Sequence, residues 1–162
     1  MDIKKDIDLA KANNEQYKKA FQKLKKKNNK VVDEMFHSLH EEVFDKVDCL
    51  SCANCCKTIS PIFRDVDIKR ISKKLRLKEA ELIKNYLRLD DESDYVLKSS
   101  PCYFLDSDNK CLIYEDRPLA CREYPHTDRK NMRQILNLTL KNTEVCPAVA
   151  QITEQITSNL KK

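Results

Sequence analysis

The 162-residue chain carries 31 Lys and Arg against 26 Asp and Glu, a net charge of +5 with the signs interleaved, which describes a solvated surface and not a nucleic-acid footprint. It has eight cysteines and no glycine, so phosphate-cradling glycine loops and dinucleotide fingerprints are excluded, and Asn and Asp are expected at positive-φ turns. No segment approaches the ~18 apolar residues of a membrane span, so the expectation is one soluble domain, or a compact domain with a helical extension.

The opening residues, MDIKKDIDLAKANN, contain no apolar stretch of the kind an export signal needs, which points to the cytoplasm. Tyr17, Phe21, Leu24, Val32, Met35, Phe36, Leu39, Val43 and Val47 recur in steps of three and four. This stripe predicts helices over about 12–27 and about 31–46, broken at the run Lys25 to Lys30. It would pack against the rest of the domain or against a partner helix, so residues 1–47 are read as an N-terminal helical extension and the place for any protein partner. His37 and His40 share a helix face at a spacing metal pairs use, although ordinary surface histidines are the preferred reading.

Next comes Cys49-Leu50-Ser51-Cys52-Ala53-Asn54-Cys55-Cys56, half of all the cysteines within eight residues. Thiols this dense can neither serve as scattered small hydrophobes nor all pair without strained short loops, so metal ligation is the economical reading. The adjacent pair Cys55 and Cys56 diverges on any regular backbone, so both serve one metal only in an irregular turn. Asp65 is placed to cap a helix bearing Val66, Ile68, Ile71 and Leu75, and a second helix over about 78–88 completes a scaffold hairpin.

From Tyr95 the period shifts. Tyr95 to Leu97, Cys102 to Leu105 and Cys111 to Tyr114 read as short strands, with Asp106 to Lys110 as a turn that would bring Cys102 and Cys111 together as a two-ligand knuckle. Pro118 starts a short helix and Pro125 ends it, which sets Cys121 on a rigid turn. Arg117 and Arg122 flank that turn, placed either to offset thiolate charge or to pair with Glu115 and Glu123. His126 is the best non-cysteine ligand candidate. Residues 132–140 fit a strand by the alternation of Leu136, Leu138 and Leu140 and a helix by other spacings. Cys146-Pro147 opens a final helix, and a thiol at a helix N-terminus meets unpaired N–H groups that favour its thiolate.

The cluster at 49–56, Ser100-Pro101-Cys102-Tyr103-Phe104-Leu105, Cys111-Leu112-Ile113-Tyr114-Glu115-Asp116-Arg117-Pro118, Cys121-Arg122-Glu123-Tyr124-Pro125 and Cys146-Pro147 together resemble the YkgJ-type cysteine-cluster family, a zinc- or iron-chelating CxxCxxCC domain. The resemblance covers roughly 48–150, with Ala148 where the family often has glycine, a change a helix start tolerates. Some relatives carry the domain within a flagellin lysine N-methylase; this chain looks like the small stand-alone form, so methyl transfer does not carry over. The elements read along the chain add up to a mainly α fold with a small β-hairpin element (α+β), with residues 48–162 as the cysteine-cluster metal-binding domain. The expected metal ligands are Cys49, Cys52, Cys55, Cys56, Cys102, Cys111, Cys121 and Cys146. Two four-thiolate zinc sites would use all eight, whereas a [4Fe-4S] cluster would need four; soft sulfur suits both, and zinc is preferred. An iron-sulfur redox or accessory role, and a metal-stabilised interaction module, are the alternatives. No paired carboxylates, nucleophile and base, or cofactor loop supports an enzyme assignment.

Overall fold

The computed structural model describes residues 2–161. In chain order come helices α1 (Ile3–Ala12), α2 (Asn14–Lys25), α3 (Asn29–Phe44), α4 (Cys49–Cys52) and α5 (Asn54–Thr58), strand β1 (Ile62–Phe63), and helices α6 (Asp65–Leu75) and α7 (Glu79–Tyr86). Strands β2 (Leu87–Leu89) and β3 (Tyr95–Leu97) follow, then helices α8 (Leu119–Glu123), α9 (Leu136–Asn142) and α10 (Pro147–Asn159), with 3-10 turns at Tyr114–Asp116 and Met132–Ile135. The architecture is mainly α with a small β element, as expected. The chain divides into two units: residues up to Asp48 together with Pro125 onward, and Cys49–Tyr124.

Among the described residues, the regular elements of the first unit are all helices. Phe21, Leu24, Val32, Phe36 and Val43, all from the amphipathic stripe, are buried with Met132, Leu136, Ala148, Ile152 and Ile156. The stripe is therefore satisfied within the chain. The helix expected over about 12–27 is α2; α1, which the stripe does not predict, meets it at Asn13, whose N–H bonds back to the Leu9 carbonyl at 3.0 Å. Residues 132–142 are helical, because Met132, Leu136, Thr139 and Asn142 are the buried set while Leu138 faces solvent. That spacing of three and four overrides the leucine alternation.

Tyr17 is buried, and its hydroxyl donates to Glu154 Oε2 at 2.8 Å. Burial, then the Glu154 hydrogen bond and charge, hold this phenol well above its ordinary pKa, so it stays a donor. Tyr17→Phe should lower stability by about 1–2 kcal/mol, read as a lower urea midpoint at unchanged slope. An unmoved midpoint would show that the bond contributes nothing net.

In the second unit the sheet has the order β1-β3-β2 and is antiparallel throughout, with Val96 opposite both Ile62 and Arg88. Phe63, Ile68, Ile71, Leu82, Leu87, Leu97, Phe104 and Ile113 form its core, and Cys102 and Cys111 pack against them. Three expectations are corrected here. Residues 87–89 leave α7 and pair as a strand. Asp65 does not cap α6; the cap is Arg64, whose N–H donates to the Asp67 carboxylate at 3.2 Å. The segments 102–105 and 111–114 form no strands and share a single bridge, Leu105 with Cys111.

The reason for that last difference is local. The Cys102 N–H donates to the Cys56 carbonyl at 2.8 Å, and the Phe104 N–H points at the Cys102 sulfur, 3.4 Å away. Donors spent this way cannot build a ladder. The turn itself survives, closed by Asp106 N–H to the Lys110 carbonyl at 2.8 Å.

Positive φ is taken by Ala53, Arg76, Ser93, Asn109, His126 and Asn131. Asn supplies two of these and Asp none, so the expectation for a glycine-free chain holds only in part. Ala53 is the notable case. It is 3% exposed with φ 47, at a cost of roughly 1–2 kcal/mol, and it lies inside the cysteine cluster.

Candidate metal centre

The cluster is two short helices hinged at one residue. α4 closes with the Ala53 N–H on the Cys49 carbonyl at 2.9 Å, and α5 restarts with the Lys57 N–H on the Ala53 carbonyl at 3.2 Å. The left-handed turn at Ala53 separates Cys49 and Cys52 from Cys55 and Cys56, and the irregular turn expected at the adjacent pair is not there, because both lie within α5. Cys55 and Cys56 sit in the same turn of α5 and project in directions about 100 degrees apart. Among the described residues no disulfide forms, so all eight cysteines keep their thiol chemistry; Cys49 is exposed and the other seven are half-buried.

Three further segments bring sulfur toward Cys56. The Cys102 bond to the Cys56 carbonyl ties the 102–105 segment to α5. The turn at 106–110 returns the chain to Cys111. Cys121 lies within α8. All six pairs among Cys56, Cys102, Cys111 and Cys121 are near enough for each thiolate to repel the others.

The electrostatics of the four are unequal. A hydrogen bond from Cys55 lowers the Cys56 thiol to about 7 against the pull of burial, helped by the charges of Arg117 and Lys57. Burial pushes Cys102 up to about 11, opposed by the Phe104 N–H and reinforced by charge on Cys56 and Cys111. Cys111 is raised by burial, with the Ile113 N–H opposing. Cys121 is pushed up to about 12 by burial and then by the other three sulfurs. Mutually repelling, half-desolvated thiols supplied with N–H donors are a donor set that a soft cation suits, because its charge reverses both penalties. Among the described residues no three His, Cys, Asp or Glu side chains stand in ion-enclosing geometry.

Bonded to the segment before Cys121 is an ion pair with a buried carboxylate that the sequence reading missed. Asp67, on α6, is fully buried; its carboxylate accepts from Arg70 Nη2 at 2.7 Å, Arg64 Nε at 3.1 Å and the Leu119 N–H at 3.3 Å. Arg70 also donates to the carbonyls of Asp116 and Arg117, at 3.2 and 2.7 Å. The spacing Asp67-Ile68-Lys69-Arg70 signals a helix-surface pair, and nothing in it reveals burial.

The arginines expected to flank Cys121 bond the backbone. Arg117 Nε donates to the Tyr114 carbonyl at 2.7 Å, with its guanidinium carbon 3.5 Å above the Tyr114 ring, and Arg122 Nε donates to the Arg117 carbonyl at 3.0 Å. His37 and His40 spend a ring nitrogen each on the Arg129 carbonyl at 2.9 Å and the Thr127 hydroxyl at 2.7 Å. His126 adopts a left-handed backbone. Cys146 precedes Pro147 at the start of α10, as expected, and packs against the core of the helical unit.

Comparison with known proteins agrees with this chemistry. A family model described as "CxxCxxCC: Putative zinc- or iron-chelating domain" matches residues 48–147, well over half of the chain. Over 82 residues the chain is 34% identical to the uncharacterized protein MJ0661 of Methanocaldococcus jannaschii, covering 49% of this chain and 44% of that protein. The chain thus spans less than half the length of that relative. No solved structure matches. No helix among the described residues is long and apolar enough to cross a membrane.

Proposed function

Because the chain belongs to the CxxCxxCC family of zinc- or iron-chelating domains, we propose that it is a metal-binding protein in which Cys56, Cys102, Cys111 and Cys121 hold one thiolate-ligated centre. The observation that carries this reading is the family match over residues 48–147, supported by the bond of the Cys102 N–H to the Cys56 carbonyl at 2.8 Å and the bridge from Leu105 to Cys111. Cys49, Cys52 and Cys55 are further candidate thiolate ligands of this unit, and Cys146 is a candidate in the helical unit, considered by itself. Zinc is the preferred ion and would act structurally, since four thiolates leave no open position. Iron, alone or as a [4Fe-4S] cluster, would occupy the same soft donors and would add one-electron chemistry.

Elemental analysis and an absorption spectrum of anaerobically purified protein test this reading. A colourless, zinc-loaded sample supports the preferred form. A brown sample that bleaches with dithionite moves the reading to an iron-sulfur centre. Folded protein that neither carries metal nor takes up zinc or iron in titration, with all eight thiols reacting at once with a thiol reagent, would overturn both.

A further inference from the structure

Along the sequence positive and negative residues interleave, but the fold of the helical unit sorts them. Arg133 Nη1 donates to the Lys27 carbonyl at 2.6 Å, Lys25 Nζ to Asn137 Oδ1 at 3.1 Å, and Asn29 Nδ2 to Asn131 Oδ1 at 3.3 Å. The N–H groups of Asn131 and Met132 end on the Asp33 carboxylate, at 2.9 and 2.8 Å. These bonds seat the 131–137 segment on the turn between α2 and α3, which lays two basic stretches side by side. Residues 23–34 and 128–133 together hold six lysines and two arginines against Asp33, Glu34 and Asp128. Their net charge of +5 equals that of the whole chain, so the remainder of the chain balances. All six lysines are exposed.

Fold stability does not account for this patch. Lys23 and Lys25, in the last turn of α2, offset its dipole. Lys30, in contrast, stands in the first turn of α3, which has no acidic residue, and a cation there opposes the dipole. Crowded like charges repel, so the cluster costs stability until a polyanion neutralises it. We propose that this face of the helical unit binds double-helical nucleic acid through its phosphates, without reading sequence. None of these residues is a candidate metal ligand, so the inference goes beyond the metal-binding reading and fails or stands apart from it. Neither stretch contains an aromatic residue, which removes the stacking platform that single strands need. A lysine-rich face without aromatics is also the reverse of a protein-interface core. A membrane surface would require a free apolar helix face, and that of α2, formed by Tyr17, Ala20, Phe21 and Leu24, is buried. Exposed Asn28, Asn29 and Asn131 stand among the lysines, and Asn side chains join Lys and Arg as phosphate donors.

The test is fluorescence anisotropy of the full-length chain with labelled mixed-sequence duplexes of about 20 base pairs, one DNA and one RNA. With about five phosphates neutralised, log affinity should fall against log salt with a slope of about −4 to −5. The combined Lys26→Gln, Lys27→Gln and Lys30→Gln variant should make that slope shallower by about 3 and weaken low-salt binding at least about 10-fold. Among the described residues, Glu34 at 4.0 Å from Lys30 is the one acid these three side chains reach, so far-UV dichroism should be unchanged. The control is Lys69→Gln, Lys73→Gln and Lys74→Gln, which removes equal charge from exposed positions of α6 and should bind as the wild type does. Whichever duplex binds more tightly identifies the nucleic acid. Equal weakening by the two variants would reduce binding to net charge and overturn the proposal. So would absence of duplex binding at about 50 mM salt, or tighter binding to a single-stranded thymidine oligonucleotide or to phosphatidylcholine vesicles with about 30% phosphatidylserine.

Discussion

Zinc added to metal-free protein at 1,000 times its dissociation constant is expected to stabilise the chain by about 4 kcal/mol, a rise in melting temperature of roughly 8–16 °C. The size of the effect follows from how little else holds the cysteine-bearing segments. α4 has four residues and α5 and α8 have five each, and the strands have two or three. Elements this short do not persist alone, because a helical turn is costly to nucleate and a minimal sheet is marginal. The second unit compensates with a modest apolar core into which two cysteines, Cys102 and Cys111, are already packed. On the proposed ligand set, metal would bind only when Cys56, Cys102, Cys111 and Cys121 converge, so its binding free energy would become folding free energy for these segments. Thermal melts with and without zinc, under reductant, measure the shift, and hydrogen exchange should place the added protection at 54–58 and 102–123. Coincident melts would show that the fold does not depend on the centre.

The helical stripe was readable because Phe21, Leu24, Val32, Phe36 and Val43 are large and periodic, and all of them are buried. α1 gave no such signal. Its one buried residue is Ala10, while Leu9 is 47% exposed. Close approach of a small side chain leaves almost no hydropathic trace, and so the break at Asn13 was invisible too. Around the cysteines the reasoning failed for a different cause. Cys102 to Leu105 has strand-forming residues, yet its backbone donors serve the Cys56 carbonyl and a sulfur atom, and periodicity does not describe such bonds. The density of the thiols pointed to a metal-chelating domain, and the family match over residues 48–147 agrees. The buried carboxylate was hidden because Asp67 and Arg70, three apart on a charged helix, look like every exposed pair. Asp67 is instead fully buried and answers to residues 116–119, about fifty positions away.

Asp67→Ala should be the most damaging substitution of a polar residue in the second unit, with a loss of about 3–5 kcal/mol. The figure is a cost of orphaning, not the worth of the ion pair. Arg70, whose side chain is only 30% exposed, would lose its carboxylate, and the Leu119 N–H would lose its acceptor. The acid dependence gives a second readout. Burial opposes ionisation of Asp67, and the hydrogen bonds and charges of Arg64 and Arg70 outweigh it, holding the carboxyl below its ordinary value of 3.8. A group depressed in the folded state contributes its full stabilisation above its unfolded pKa. That contribution is withdrawn as pH falls from about 4 through the lower folded value, where the native state must finally take up the proton. Urea midpoints followed from pH 7 downward should therefore fall more steeply in the wild type below pH ~4 than in Asp67→Ala, and the two curves should draw together. Parallel curves would mean that Asp67 titrates alike in the folded and unfolded chains, and that the arginines do no more than solvate it.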